Sequence, residues 1–134
     1  MKKTKQFFFF LLMSIFFSNL FAQENQPTQE VVGGKIRGTN NSDGSIAIYK
    51  GIPFAAPPVA ELRWKAPQPV QAWKGILDCT KFSASPMQAK PMPFSMWSEE
   101  FLIPAEPISE DCLYLNVWTG NKSKKIKQPV LVWI

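Results

Sequence analysis

The chain has 134 residues, 46% of them hydrophobic, and a formal net charge of +5. That length suits one small domain, and that apolar content excludes a disordered or purely solvating chain. Histidine is absent, so no Ser-His-acid triad, Cys-His dyad or histidine-based metal site can be built from these residues, and two cysteines are too few for a zinc or iron–sulfur site.

The N-terminus reads as an export signal. Lys2, Lys3 and Lys5 precede Phe7 to Phe17, an apolar run broken only by Ser14, and Ala22 is followed by Gln23. A basic start, a short apolar stretch and a small residue are the order of a secretory signal peptide, expected to occupy residues 1–22 and to be cleaved near Ala22. The run is short for a membrane span. Leu20 stands where a small residue is usual, and an uncleaved anchor is the alternative. Export implies a secreted or periplasmic protein, with Cys79 and Cys112 in an oxidising compartment. Without the three lysines, 15 basic residues become 12 against the same 10 acidic ones, so charge carries no argument for a nucleic-acid partner.

Residues 23–134 are the expected mature part. Gln23 to Glu30 is polar and expected to fray. Val31 to Arg37 reads as a strand weakened by Gly33 and Gly34. Gly38 to Gly44 is a run of turn-forming residues. Ser45 to Tyr49 resumes as a strand in which Ile46 and Ile48 alternate with smaller or polar neighbours, and the two strands are predicted to form a hairpin. From Gly51 to Ala72, Pro53, Pro57, Pro58, Pro67 and Pro69 argue against an interior helix or a central strand. Phe54, Leu62 and Trp64 in that stretch call for burial, so it reads as an ordered connection lying over a larger body. Trp73 to Phe82 is read in the same way.

Ser83 to Glu110 is long, proline-rich and irregular, with a short helix expected around Ser98 to Phe101. A loop of that length usually carries function or faces a ligand. Leu113 to Trp118 and Pro129 to Ile134 are predicted strands, joined by a solvated turn from Gly120 to Gln128. The second strand is apolar on both faces, as in the middle of a covered sheet. It has no visible neighbour on its other side, and the sequence is therefore expected to be the leading piece of a larger domain.

Three ordered blocks carry a family resemblance. The first runs from Tyr49 to Trp64, the second from Trp73 to Phe82. The third is Ser109-Glu-Asp-Cys-Leu-Tyr-Leu-Asn-Val117, followed by Pro129 to Ile134. Over residues 31–134 the sequence resembles the type-B carboxylesterases, the group that includes the cholinesterases. The resemblance implies an α/β class protein with the α/β-hydrolase fold, a mostly parallel sheet with helices on both faces. This chain would supply only its N-terminal strands and proline-rich connections.

It also implies a secreted carboxylic ester hydrolase of the serine esterase type, acting on a small-molecule carboxylic ester without a cofactor or metal. In that family the strand ending here leads to a His-Gly-Gly turn that supplies oxyanion-hole amides. The Gly-x-Ser-x-Gly elbow, the acid and the histidine come later still. All would follow Ile134, so no catalytic residue is assigned and this part alone is expected to be inactive. The alternative is a family member that has lost its triad and acts as a binding or adhesion protein.

Within the resemblance, several residues acquire expected roles. Cys112 is implied to close the preceding loop by a disulfide, for which Cys79 is the available partner, with two buried free thiols as the alternative. Such a loop closure is worth about 4 kcal/mol in the chain-entropy account. Arg63 and Glu110 match positions that form a structural salt bridge, expected to pin the proline-rich connection to the start of the Leu113 strand, with an exposed pair of little energetic weight as the alternative. Trp97, after Met96, matches loosely a tryptophan that lines the substrate path, with loop packing as the alternative. Trp64, Trp73, Trp118 and Trp133 are expected to be packing residues. Asn40-Asn41-Ser42 and Asn121-Lys122-Ser123 fit the N-glycosylation pattern, a short and common motif. Ala60, Gly120, Cys79 and Pro86 depart from residues usual in the family, the last where many relatives place the first cysteine of the disulfide.

Overall fold

The computed structural model describes residues 26–103, 107–120 and 127–134. The expected leader at residues 1–22, Asn121 and most of the expected Gly120–Gln128 turn lie outside the described residues.

Two adjacent glycines turn the predicted Val31–Arg37 strand into a hairpin. Strand β1 (Thr28–Val31) pairs antiparallel with β2 (Gly34–Arg37), with Val31 opposite Gly34. The end of the polar segment expected to fray is therefore held in a ladder. Gly33 adopts a φ of +104°, a conformation that side chains disfavour. The indole of Trp73 lies over this turn so closely that a Cβ on Gly33 would sit 2.5 Å from the ring. Its Nε1 donates to the Lys35 carbonyl at 2.9 Å. Trp73 thus packs as expected. Beyond it, β5 (Ile76–Asp78) pairs parallel with β2, placing a short strand where an irregular connection was predicted.

Gly38 carries the chain from this sheet to a second one. It is buried, and a Cβ there would come within 2.2 Å of the Ile48 carbonyl oxygen. Strand β3 (Thr39–Asn40) then pairs antiparallel with β4 (Ala47–Pro53). The intervening turn is tied by side chains: Asn41 Oδ1 accepts from the Ile46 amide at 2.9 Å, and Asp43 Oδ1 from the Ser45 amide at 2.8 Å. The predicted hairpin therefore forms between β3 and β4, while β2 belongs to the other sheet.

Strand β4 also runs into the proline-rich stretch, contrary to expectation, and lies centrally between β3 and β6 (Tyr114–Thr119). Two local features permit this. Pro53 is the last residue of the strand, beyond the β3 pairing that ends at Ile48, so only one flank of β4 is paired there, as on an edge strand. Between Tyr49↔Val117 and Ile52↔Leu115 the register shifts through a bulge. Gly51 occupies that bulge at φ +71°, and its amide donates to Asn116 Oδ1 at 2.9 Å.

Ile36, Ala47, Tyr49, Ile52 and Cys79 form the core, with Val31, Trp73 and Leu77 packed against it. Cys79 joins the sheets through its backbone. Its amide donates to the Arg37 carbonyl at 2.7 Å, and its carbonyl accepts from the Lys50 amide at 2.8 Å. Arg37 and Asp78, opposite each other in the β2–β5 ladder, add an ion pair at 3.0 Å. On the second sheet Lys50 Nζ lies 4.4 Å from the Phe82 ring centroid, and Phe82 packs against Trp118.

Several expectations of burial and strand structure are corrected. Trp64, Trp118 and Trp133 are exposed in this chain, and Phe54 is half exposed. Residues 127–134 form no strand, and Val130 to Ile134 are exposed. A strand exists only as part of a hydrogen-bonded ladder, and no described strand is registered with this segment.

The bulge yields a direct test. A Cβ on Gly51 would meet Ser83 Oγ at 2.5 Å and the Lys81 carbonyl at 3.0 Å, in a left-handed conformation. Gly51→Ala is expected to cost about 1–3 kcal/mol. Urea unfolding should show a lower midpoint at unchanged slope.

Candidate functional site

The site-bearing region is the proline-rich corner after β4 together with the long loop before β6. Pro57 and Pro58 stiffen the entry to the corner. Its base is closed by the Ala56 amide donating to the Gln68 carbonyl at 2.9 Å. A 3-10 turn at Ala60–Leu62 then directs Arg63 toward Glu110. The two side chains meet as a fork: Arg63 Nε to Glu110 Oε1 at 2.7 Å and Nη2 to Oε2 at 2.5 Å. This is the bidentate geometry that only arginine offers a carboxylate. The hydrogen bond from Arg63 holds the Glu110 carboxyl below its ordinary range, and Glu110 in turn raises the guanidinium. The pair is not enclosed, because the side chains are 54% and 42% exposed. It fixes the corner against the approach to β6, but breaking it does not strand a buried charge.

The expected disulfide is not formed. Cys79 and Cys112 are both free thiols. Cys79 is fully buried in the core, where its Sγ lies 3.8 Å from the Gly51 carbonyl as a weak donor. Burial pushes its thiol up, with the Asp78 carboxylate adding to the effect. Cys112 is part-buried on the segment leading to β6. The loop that the bridge was expected to close is instead closed by backbone pairing. Ser85 and Ile108 form an isolated parallel bridge, in which the Ser85 amide donates to the Pro107 carbonyl and the Ser109 amide to the Ser85 carbonyl, each at 2.9 Å. Pro86 directly follows this closure.

Inside the loop, Phe94 and Trp97 exchange backbone hydrogen bonds of 3.1 and 2.9 Å across a tight turn, with Ser95 at φ +51°. A 3-10 turn at Glu99–Phe101 follows, matching the short helix predicted there. Trp97 packs edge-on against Phe101, with centroids 5.8 Å apart. Trp97 remains 47% exposed, amid the still more exposed Met92, Phe94 and Met96. The loop thus presents an apolar, aromatic surface, and Trp97 contacts neither cysteine nor the Arg63–Glu110 fork in any of these interactions.

Three further positions shape the region. Asn116 fixes the β4 bulge. Its only trace in the sequence is a polar residue inside the otherwise apolar Tyr114–Trp118 run. The Tyr114 phenol is pushed up to about 12 by burial and by its hydrogen bond to Asp111. Ser109 Oγ accepts from the Asp111 amide at 3.0 Å, ordering the turn into β6. Among the described residues no group of three or more metal-ligating side chains occurs. No helix of the described residues is long and apolar enough to cross a membrane. The arrangement positions chain segments and offers an aromatic face, and it holds no nucleophile with a histidine base.

These strands are those of an α/β-hydrolase. The solved carboxylesterase of Geobacillus stearothermophilus at pH 6.2 superposes with a TM-score of 0.58 and 34% identity, over 73% of this chain and 17% of that one. The same enzyme at pH 6.8 gives 0.55 and 33%, over 72% and 17%. The profile of the carboxylesterase family matches residues 25–134, and the chain belongs to that family. Acetylcholinesterase of Leptinotarsa decemlineata is 38% identical over 119 residues, covering 78% of this chain and 19% of the relative. Cocaine esterase of Oryctolagus cuniculus is 35% identical over 114 residues, covering 81% and 21%. The chain therefore spans about a fifth of the length of the relatives it matches.

Two measurements check the site. Under native conditions an alkylating reagent should modify Cys112 and spare Cys79, with both modified after denaturation without reductant. Mass spectrometry resolves the two states, and a protein resisting alkylation until reduced would restore the bridge. The lowered Glu110 fixes the sign of a pH effect. Its contribution is fully present above the unfolded carboxyl range and is lost as pH falls through the lowered folded value. Glu110→Gln should thus melt slightly below wild type from neutral pH upward, with the difference closing as pH falls through the lowered Glu110 value.

Proposed function

We propose that this chain is the leading part of an exported serine carboxylesterase. The observation that carries the reading is the family match across residues 25–134, within which Glu110 to Val117 is the most distinctive block. The basic and apolar order of residues 1–22 supports export. The absence of histidine means that any serine–histidine chemistry comes from polypeptide outside this sequence. In such an enzyme a serine attacks the ester carbonyl, a histidine takes its proton, and backbone amides stabilise the tetrahedral oxyanion. The role of the present residues is to set the scaffold: the Arg63–Glu110 fork fixes the corner, and the Ser85–Ile108 closure holds the loop that presents Trp97. Trp97 is assigned to the substrate approach, where its ring would favour a cationic alcohol portion.

The complete gene product should hydrolyse short aryl esters and be inactivated by an organophosphate with loss of one titratable serine, while residues 23–134 alone turn nothing over. A folded complete product that cleaves no ester would favour the binding or adhesion reading. Trp97→Ala in the active protein should raise KM for a cationic ester by about 2- to 30-fold relative to its neutral isostere. Equal KM and kcat values for the two esters would leave Trp97 as a loop anchor only.

A further inference from the structure

The turn between β3 and β4 places side by side two groups that can react with one another. Asp43 is followed by Gly44, whose amide nitrogen can close a five-membered ring on the Asp43 side-chain carbon. Glycine puts no side chain in the way of that approach, and a Cβ built on Gly44 would meet nothing within 4 Å. In an open chain the reaction balances without a co-reactant. The Gly44 nitrogen bonds to Asp43 Cγ, the hydroxyl of the protonated carboxyl departs with the amide proton as water, and a cyclic succinimide remains. Water then reopens the ring. Attack at the side-chain carbonyl restores aspartate, and attack at the main-chain carbonyl leaves the backbone running through the Asp43 side chain as isoaspartate.

In the folded turn both groups are engaged. The Gly44 amide donates to the Asn41 carbonyl at 3.0 Å, with Gly44 at φ +71°. Asp43 Oδ1 accepts from the Ser45 amide at 2.8 Å. Hydrogen bonds from the Ser45 hydroxyl and amide hold the carboxyl below its ordinary range, in the ionised form that has no hydroxyl to lose. Asn41 secures the turn from three sides. Its Oδ1 accepts from the Ile46 amide at 2.9 Å, its Nδ2 donates to Ser45 Oγ at 3.1 Å, and its own amide donates to the Ile46 carbonyl at 3.0 Å. We propose that Asp43–Gly44 is a site of isoaspartate formation that this turn holds closed, so that modification passes through local opening of the turn. An isoaspartate lengthens the main chain by one carbon inside the Asn41–Ile46 closure. The β3–β4 register lies immediately beyond, with Asn40 opposite Ala47, and Ala47 belongs to the core. A lengthened turn does not reclose on that register, so the modification loosens β3 from β4. None of this depends on ester hydrolysis.

The test follows heavy-oxygen water into residue 43, because each passage through the succinimide leaves one solvent oxygen in the carboxyl group released. The complete gene product and a peptide of residues 39–47 are incubated side by side in mildly acidic buffer. Peptide mapping by mass spectrometry reads the label, and chromatography separates the aspartyl from the isoaspartyl form. Labelling in the folded product should be slower than in the peptide by on the order of tenfold or more, as expected of a local opening short of global unfolding. Asn41→Ala and the milder Ser45→Ala, each shown to be folded by its melting curve, should recover part of the peptide's rate. If Asn41→Ala does not fold, Ser45→Ala decides alone. Equal rates in the folded product and the peptide overturn the protection, and a peptide that takes up no label overturns the site. Folded variants that label no faster than wild type overturn the control by the turn.

Discussion

The backbone of Cys79 is the point through which the two sheets become one body. Its amide ends the β2 side and its carbonyl receives Lys50 from β4, so a single peptide segment satisfies polar groups of both sheets. Buried amides and carbonyls without partners are costly, and the crossing at Gly38 brings both sheet edges to the same place. The side chain completes the arrangement, filling the core beside Ile36, Ala47, Tyr49 and Ile52. A thiol is suited to this position because it packs like a small apolar group while offering a weak donor to the Gly51 carbonyl.

From that junction the remaining geometry follows outward. The Gly51 bulge bends β4 where it meets Cys79, and Asn116 on β6 captures the amide that the bulge would otherwise leave unpaired. Beyond the bulge, Pro53 ends β4 and the chain leaves through the proline corner. There the Arg63–Glu110 fork ties the exit of β4 to the approach of β6, so that end of the second sheet is fastened outside its ladder as well. The fork is exposed, and its value lies in direction rather than strength. A bidentate contact fixes relative orientation even where water screens much of its energy.

Much of this was legible in the sequence, and the failures have physical causes. β6 was readable because Leu113 to Trp118 is a short, almost wholly apolar run rich in aromatic and branched residues, and a short helical turn was expected at Ser98–Phe101. The family, and with it the Arg63–Glu110 pairing, came from the ordered blocks rather than from periodicity. Gly33 and Gly34 were visible but were read as weakening one strand, when their conformational freedom makes a hairpin. β5 was invisible because three residues carry no period, and its partner β2 lies far back in the chain. The continuation of β4 past Lys50 was hidden by Pro53, since a proline at the last position of a strand looks the same in sequence as one that breaks it. The cysteine pairing failed for a different reason. Sequence supplies the inventory of thiols, whereas the core decides which of them is needed for packing.

The closure of the long loop at Ser85 and Ile108 has a consequence for how that loop moves. A covalent fastening would hold its base shut until reduced, at any temperature. Backbone pairing at the base of an exposed loop is the kind of contact that can open locally below the free energy of global unfolding. The base of the loop carrying Trp97 is thus fastened by hydrogen bonds, whose strength depends on solvent and temperature rather than on the supply of thiols around the protein.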